Sequence, residues 1–419
     1  MLKIGSARRD FDKRHRVDSN KIGCKPHLIE PFQDTESPSI TFGVAGLRKQ
    51  ILTINVVTDT QRDQINFTVP RGFEVEGDCL AAAMACLCGT TYDRISFQFA
   101  VSDEAQSLIA EGCAAEVVAQ GHCEPRQPGK GNCLAFSGGM DSLASKYIAP
   151  DRNYHLMGTD FGGWFEREYS FLLRYREITS VCSTDFRRKK YSQNTWQFMV
   201  APMLLVANHF DWGSMALGTT LESSPYTLFE LGSGVRRLPF YEAAGMPECT
   251  LLNGASEFLG SRIVFENEPR IVNRSLKSLA AKGSEKSFRK ALALELVKAL
   301  LEDKSTAQFD IKPPSRKVEL GKAVFVDFAF LLFLKFCDRA WLSKVVDIPD
   351  TLAERVQAIK CEWLLKYHPI GLENVAGQAK RDLQAGLVHN GIEVFSDDDL
   401  ANYREFISVV KQVSGFERV

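Results

Sequence analysis

Residues 134–146, LAFSGGMDSLASK, constrain this chain more than any other stretch. A short apolar run ends in Ser137-Gly138-Gly139-Met140-Asp141-Ser142, and apolar positions at helical spacing follow at Leu143, Ala144, Tyr147 and Ile148. The pattern predicts a strand, a tight glycine turn and the first turn of a helix. Two adjacent glycines let a backbone approach a bulky anion where a Cβ would collide. The free amides of the new helix, at its positive dipole end, then point at that anion. Ser137 and Ser142 add hydroxyl donors, and Asp141 is placed to hold a cation beside bound phosphates. Such a turn suits pyrophosphate. It is not a Walker A loop, because no Gly-Lys-Ser/Thr follows the glycines, and Gly-x-Gly-x-x-Gly is missing. A chance Gly-Gly turn ahead of a serine cap would leave most of the six positions unexplained.

The next hundred residues extend the pattern. Residues 154–159 read as a second strand ending in Asp160-Phe161-Gly162-Gly163, and 164–176 as a helix. A third strand is expected over 178–182, then an apolar helix over 194–208 that Pro202 should kink or start late. A fourth strand, 215–218, leads into Thr219-Thr220-Leu221-Glu222. Alternating strands and helices imply right-handed crossovers and a parallel sheet. Ligands of such sheets lie at the carboxyl ends of the strands, where Ser137, Asp160 and Gly218-Thr219 all fall.

Ser-Gly-Gly-x-Asp-Ser resembles the signature of the PP-loop, or N-type, ATP pyrophosphatases. The order of the later features is most similar to the 7-cyano-7-deazaguanine synthase branch. That branch follows the signature with Asp-Tyr/Phe-Gly and a Glu-bearing helix, matched by Asp160-Phe161-Gly162 and by Glu166 or Glu168. Gln193-Asn194 match its polar-Asn segment, and Gly218 its last strand end. The resemblance covers about residues 130–265, a third of the chain.

The resemblance implies an α/β fold with a parallel Rossmann-like sheet of the adenine nucleotide alpha hydrolase-like type, and ATP and Mg²⁺ as cofactors. It implies nucleotide binding by Ser137, Gly138, Gly139, Asp141, Ser142, Gly218 and Thr219, with Asp141 on the metal and Asp141, Ser142 and Asp160 catalytic. Members cleave ATP to AMP and pyrophosphate, activating a substrate oxygen as an adenylate that an amine, ammonia or sulfur donor displaces. One departure is plain. The branch carries a zinc-binding Cys-Gly-x-Cys-x-x-Cys near its C-terminal end, whereas this chain has no CxxC and only Cys337 and Cys361 late in the sequence. Zinc is therefore not expected, and the branch's own acceptor does not carry over.

In open sheets the later loops shape the second substrate's pocket. Here these are 219–240, with Thr219, Glu222 and the Arg236-Arg237 pair, and the helical block after 275 as a lid. Arg187-Arg188-Lys189-Lys190 and the group Arg270, Arg274 and Lys277 read first as solvated charges. Cys133 and Cys182 read as buried small hydrophobes, and no histidine has a metal-like partner.

Composition fits a large enzyme. The 419 residues are 45% hydrophobic and 25% charged, enough for two or three cored domains. We expect an N-terminal α+β domain over 1–125, the PP-loop domain over 126–275 and a helical C-terminal domain over 276–419. The first should hold strands at 39–44, 51–57, 64–69 and 94–101 with helices at 78–88 and 103–120. A Gly/Pro-rich linker is expected at 121–132. The last should hold helices at 284–301, 324–343, 351–367 and 398–413. A net charge of −1 disfavours nucleic acid as a partner. Eleven scattered cysteines and an N-terminus without an apolar h-region point to a cytoplasmic protein. The apolar run 323–336 is too short to span a bilayer, so no membrane association is expected. A homodimer is compatible with all of this.

The expected activity is that of an ATP-dependent adenylating ligase or amidotransferase. Its partners would be ATP and an unidentified acceptor, a small molecule or a protein terminus. The alternative is a non-catalytic nucleotide-binding scaffold or sensor that kept the loop. A sulfur-inserting tRNA enzyme would want a catalytic cysteine pair and a basic face, and the sequence shows neither.

Overall fold

The computed structural model describes residues 38–163, 166–186, 196–232, 234, 238–301 and 311–416. The chain is α/β, with one mixed sheet, one parallel sheet and many helices.

Strands β1 (Ser39–Arg48), β2 (Ile51–Thr58) and β3 (Arg62–Thr68) form the expected antiparallel ladder. Leu52, Ile54 and Val56 of β2 alternate inward, as a half-buried strand requires. They pack with helix α1 (Gly77–Cys88), whose alanines and cysteines are buried along almost its whole length. Strands β4 (Arg94–Phe97) and β5 (Glu116–Ala119) add to β1 in parallel, giving the order β3-β2-β1-β4-β5. The sheet is thus mixed, and β5 corrects the helix expected to run to residue 120. Helix α2 (Asp103–Cys113) stops at Ala114, which turns left-handed at φ 52°. The β-branched pair Val117-Val118 then extends beside β4.

The Gly/Pro-rich stretch before the loop is pinned. The Arg126 guanidinium donates to the carbonyls of Trp212, Ala244 and Gly245. Gly129 and Gly213 lie back to back, where any Cβ on Gly213 would meet the Gly129 backbone. These glycines serve close approach.

Strands β6 (Gly131–Ala135), β7 (Tyr154–Asp160), β8 (Ser180–Ser183) and β9 (Trp212–Ala216) form the parallel sheet, in the order β8-β7-β6-β9. Both faces are buried, as is usual for parallel sheets. Cys133 and Met157 join the core of the N-terminal sheet, whereas Leu134 and Leu156 join a second core on the opposite face. The two sheets also meet edge to edge, where the Asn66 amide donates to Asp185 at 2.8 Å. Around the parallel sheet lie α3 (Met140–Tyr147), α4 (Glu166–Leu172), α5 (Ala201–Leu205), α6 (Glu257–Asn267) and α7 (Pro269–Leu279). Pro202 sits in the first turn of α5, preceded by a 3₁₀ turn over Trp196–Val200, so the expected long helix starts late.

The C-terminal block contains α8 (Glu285–Leu300), α9 (Val324–Phe336), α10 (Asp350–Ala358), α11 (Gly377–His389) and α12 (Asp397–Ser414). Helix α9 is buried over most of its length. It stops at Cys337, and the Asp338 carboxylate accepts from the Trp341 amide to open a separate turn. Helix α8 stands between two cores. Ala291 and Leu294 face the parallel sheet, while Phe288, Leu292 and Leu296 face the helical block. That position brings its charged residues to the loop. No described helix is long and apolar enough to cross a membrane.

Candidate functional site

The strand order reverses beside β6, with β7 on one side and β9 on the other. Crevices at such reversals are where open α/β sheets take ligands. The Ser137–Ser142 loop leaves the carboxyl end of β6 at this point and runs into α3. Gly138 has φ +77°, and a Cβ there would fall within the Phe171 ring. Gly139 caps α3 without any side-chain hydrogen bond, leaving the first-turn amides free of a capping acceptor. The two serines brace the turn. Ser137 Oγ accepts from the Gly139 amide at 3.2 Å, and Ser142 Oγ donates to the Gly139 carbonyl at 3.0 Å. From α7, Ser275 Oγ donates to the Gly138 carbonyl at 2.7 Å.

Gly218, just past β9, presses on the helix start. A Cβ there would lie 2.9 Å from the Ser142 nitrogen and 3.0 Å from the Asp141 carbonyl carbon. Thr219 follows it, half-buried. Ser137, Gly138, Gly139, Asp141, Ser142 and Gly218 are therefore brought together. Asp160 ends β7 on the same sheet edge with both carboxylate oxygens engaged. One accepts from the Gly162 amide at 2.9 Å and the other from Ser183 Oγ at 3.3 Å.

Glu222 lies inside the wall rather than on an open loop. It is 3% exposed, and Oε1 accepts from the Glu257 amide at 2.6 Å, at the start of α6. Its other oxygen has no hydrogen-bond partner. Burial, reinforced by the neighbouring Glu257 charge, pushes its carboxyl up to about 8. Burial likewise raises Glu168 on α4 to about 7, against the pull of Lys286 and Arg167. Arg236, Arg237, the 187–190 run, Gln193 and Asn194 lie outside the described residues.

Three residues that sequence reasoning missed complete the site: Glu257 of α6, and Arg289 and Lys290 of α8. Lys290 Nζ donates to both Asp141 oxygens, at 2.7 and 3.0 Å, and lies 3.4 Å from Glu257 Oε1. That Glu257 oxygen has no hydrogen bond, so Lys290 holds it by charge alone. Arg289 pairs with the other Glu257 oxygen and with Glu285 at 2.8 Å. Burial disfavours the Lys290 ammonium, but Asp141 and Glu257 outweigh it and hold its pKa above the usual lysine value. In the sequence, Arg289-Lys290 is an ordinary charged pair at the head of an apolar helix. Only tertiary packing turns it inward.

Elsewhere, Glu76, Asp78 and Cys123 place potential metal-ligating atoms within 4.8 Å of one another, a trio that spacing did not reveal. All three are already used. Glu76 caps α1, while Asp78 accepts from Ser102, from the Arg126 amide and from the Cys123 thiol.

The chain matches no protein-family model, no curated protein and no solved structure. Function must be read from the site itself. Its chemistry is an anion pole of amides beside a carboxylate. Asp141 is an oxygen ligand of the kind Mg²⁺ takes, and its side chain is 32% exposed, within reach of the cleft.

Proposed function

We propose that this chain is an ATP pyrophosphatase of the PP-loop type, an adenylating ligase or amidotransferase. The observation that supports the reading best is the Ser137–Ser142 loop lying where the parallel strand order reverses, with Gly218 packed onto the first turn of α3. In this reading the acceptor's carboxylate or carbonyl oxygen attacks the α-phosphorus of ATP in line. The O–P bond to pyrophosphate breaks as the adenylate forms, and an amine or ammonia then displaces AMP. The amides of residues 140–142 receive the departing pyrophosphate. Ser137 and Ser142 keep those amides in place. Lys290, 2.7 Å from Asp141, adds positive charge at the same spot. Mg²⁺ held by Asp141 would neutralise charge developing on the leaving group. No side chain needs to act as a nucleophile.

The Lys290–Asp141 pair favours a second reading. An amine already seated on the metal-binding carboxylate suits a nucleotide sensor that binds ATP without turnover. One assay separates the two. The protein is incubated with ATP, Mg²⁺ and a panel of small carboxylic acids and peptides, and pyrophosphate release is followed. An enzyme releases pyrophosphate with some acceptor, and Asp141→Ala abolishes the release while leaving the circular dichroism unchanged. A sensor binds ATP in calorimetry and releases none.

A further inference from the structure

Next to the loop lies a cavity of about 480 Å³ between α4 and α7. It shares a wall with the loop. Phe171, which lines the cavity, abuts Gly138, and Ser275 of α7 holds the Gly138 carbonyl. Four cationic side chains, Arg167, Arg174, Arg274 and Lys277, line it against the single carboxylate of Glu166. Among the described residues none of the four cations makes an ion pair. Arg274 lies over the Phe171 ring at 5.9 Å and bonds only the Arg174 carbonyl, at 3.4 Å.

We propose that this cavity is a binding site for a small molecule of the phosphate class, distinct from the amides of the loop. The size is that of a small-molecule pocket. Three guanidinium groups offer paired N–H donors that match phosphate oxygens, and the ammonium of Lys277 adds a point charge. A ligand with two or more negative charges balances this excess, whereas a single carboxylate does not. The chain's net charge of −1 favours a small anion over a nucleic-acid backbone. Two sources share the chemistry: pyrophosphate released at the loop, and a phosphate group on the second substrate. Both rest on the adenylation reading, but the anion site itself does not.

The test is calorimetric titration of inorganic pyrophosphate into wild type, Arg274→Ala/Lys277→Ala and Asp141→Ala. Both cavity side chains are exposed, so the double variant keeps the fold. We expect the double variant to weaken pyrophosphate binding at least tenfold and Asp141→Ala to leave the cavity's binding within twofold. Titrating ATP into the same double variant assigns the source. A parallel loss identifies the nucleotide's own phosphates, and retained ATP affinity identifies a phosphate on the second substrate. Unchanged pyrophosphate binding in the double variant, or loss confined to Asp141→Ala, overturns the proposal. Neither result depends on turnover, so failure of the adenylation reading would be seen separately.

Discussion

On the α8 side of the Ser137–Ser142 loop, Lys290 and Arg289 lie within 3.4 Å of Asp141, Glu257 and Glu285, and both cations are nearly inaccessible. On the α4–α7 side, Arg167, Arg174, Arg274 and Lys277 face a cavity and pair with no described carboxylate. The difference follows from solvent. A buried charge must be matched by its neighbours, because the interior cannot screen it, whereas an exposed cation is satisfied by water until a ligand replaces that water. One wall is therefore structural and fixes the loop, and the other is open to an anion.

This contrast predicts unequal responses to mutation. The largest is Arg289→Ala, which leaves buried Glu257 with Lys290 alone and should cost about 3–5 kcal/mol in denaturant unfolding. A loss below about 1 kcal/mol would mean that water reaches this wall. Next comes Gly138→Ala. A Cβ at φ +77° against the Phe171 ring should cost about 2–3 kcal/mol and shift Phe171 away from the loop. Retained stability with retained ATP binding would show that the turn is not tightly specified.

The buried carboxyl of Glu222 sharpens the comparison through pH. Its folded pKa is raised to about 8 from an ordinary value of 4.5. The folded state thus keeps a proton that the unfolded state releases. Its contribution is fully present below about pH 4.5 and is lost as pH rises through about 8. Glu222→Gln should flatten this decline and leave the variant more stable than wild type near pH 8. Half-buried His155 and buried His368, both lowered to about 4, act on the acid side. Their contribution is present above about 6.5 and is lost as pH falls through 4. Equal slopes for wild type and Glu222→Gln between pH 5 and 8 would contradict a raised Glu222. The smallest effect is on the open wall, where Lys277→Ala should change stability by no more than about 0.5 kcal/mol.

The loop and its sheet were legible because their signals are local. Ser137–Ser142 sits in one strand–turn–helix unit, and each parallel strand is a short apolar run with turn residues at its end. Gly218 was legible as a strand terminus, though not as the residue on which α3 rests. The α8 wall was not legible. Lys290 lies 149 residues from Asp141, and no spacing rule links them. Glu222 was placed at the right sheet edge but on the wrong side of the protein surface, because one sequence does not say whether a loop carboxylate turns inward. Helix α2 was read too long because its polar face continues past Cys113, and only pairing with β4 shows that the chain has changed conformation. Arg274 and Lys277 read as solvated charges, and the cavity they share with α4 exists only in the fold.

The most direct test of the central claim is pyrophosphate release from ATP in the presence of Mg²⁺ and the acceptor panel, with wild type and Asp141→Ala measured side by side. The account predicts acceptor-dependent release by wild type and loss of at least a hundredfold in the variant, which keeps a folded circular dichroism spectrum while Lys290 retains only Glu257 as its partner. Release at the wild-type rate by Asp141→Ala would contradict it.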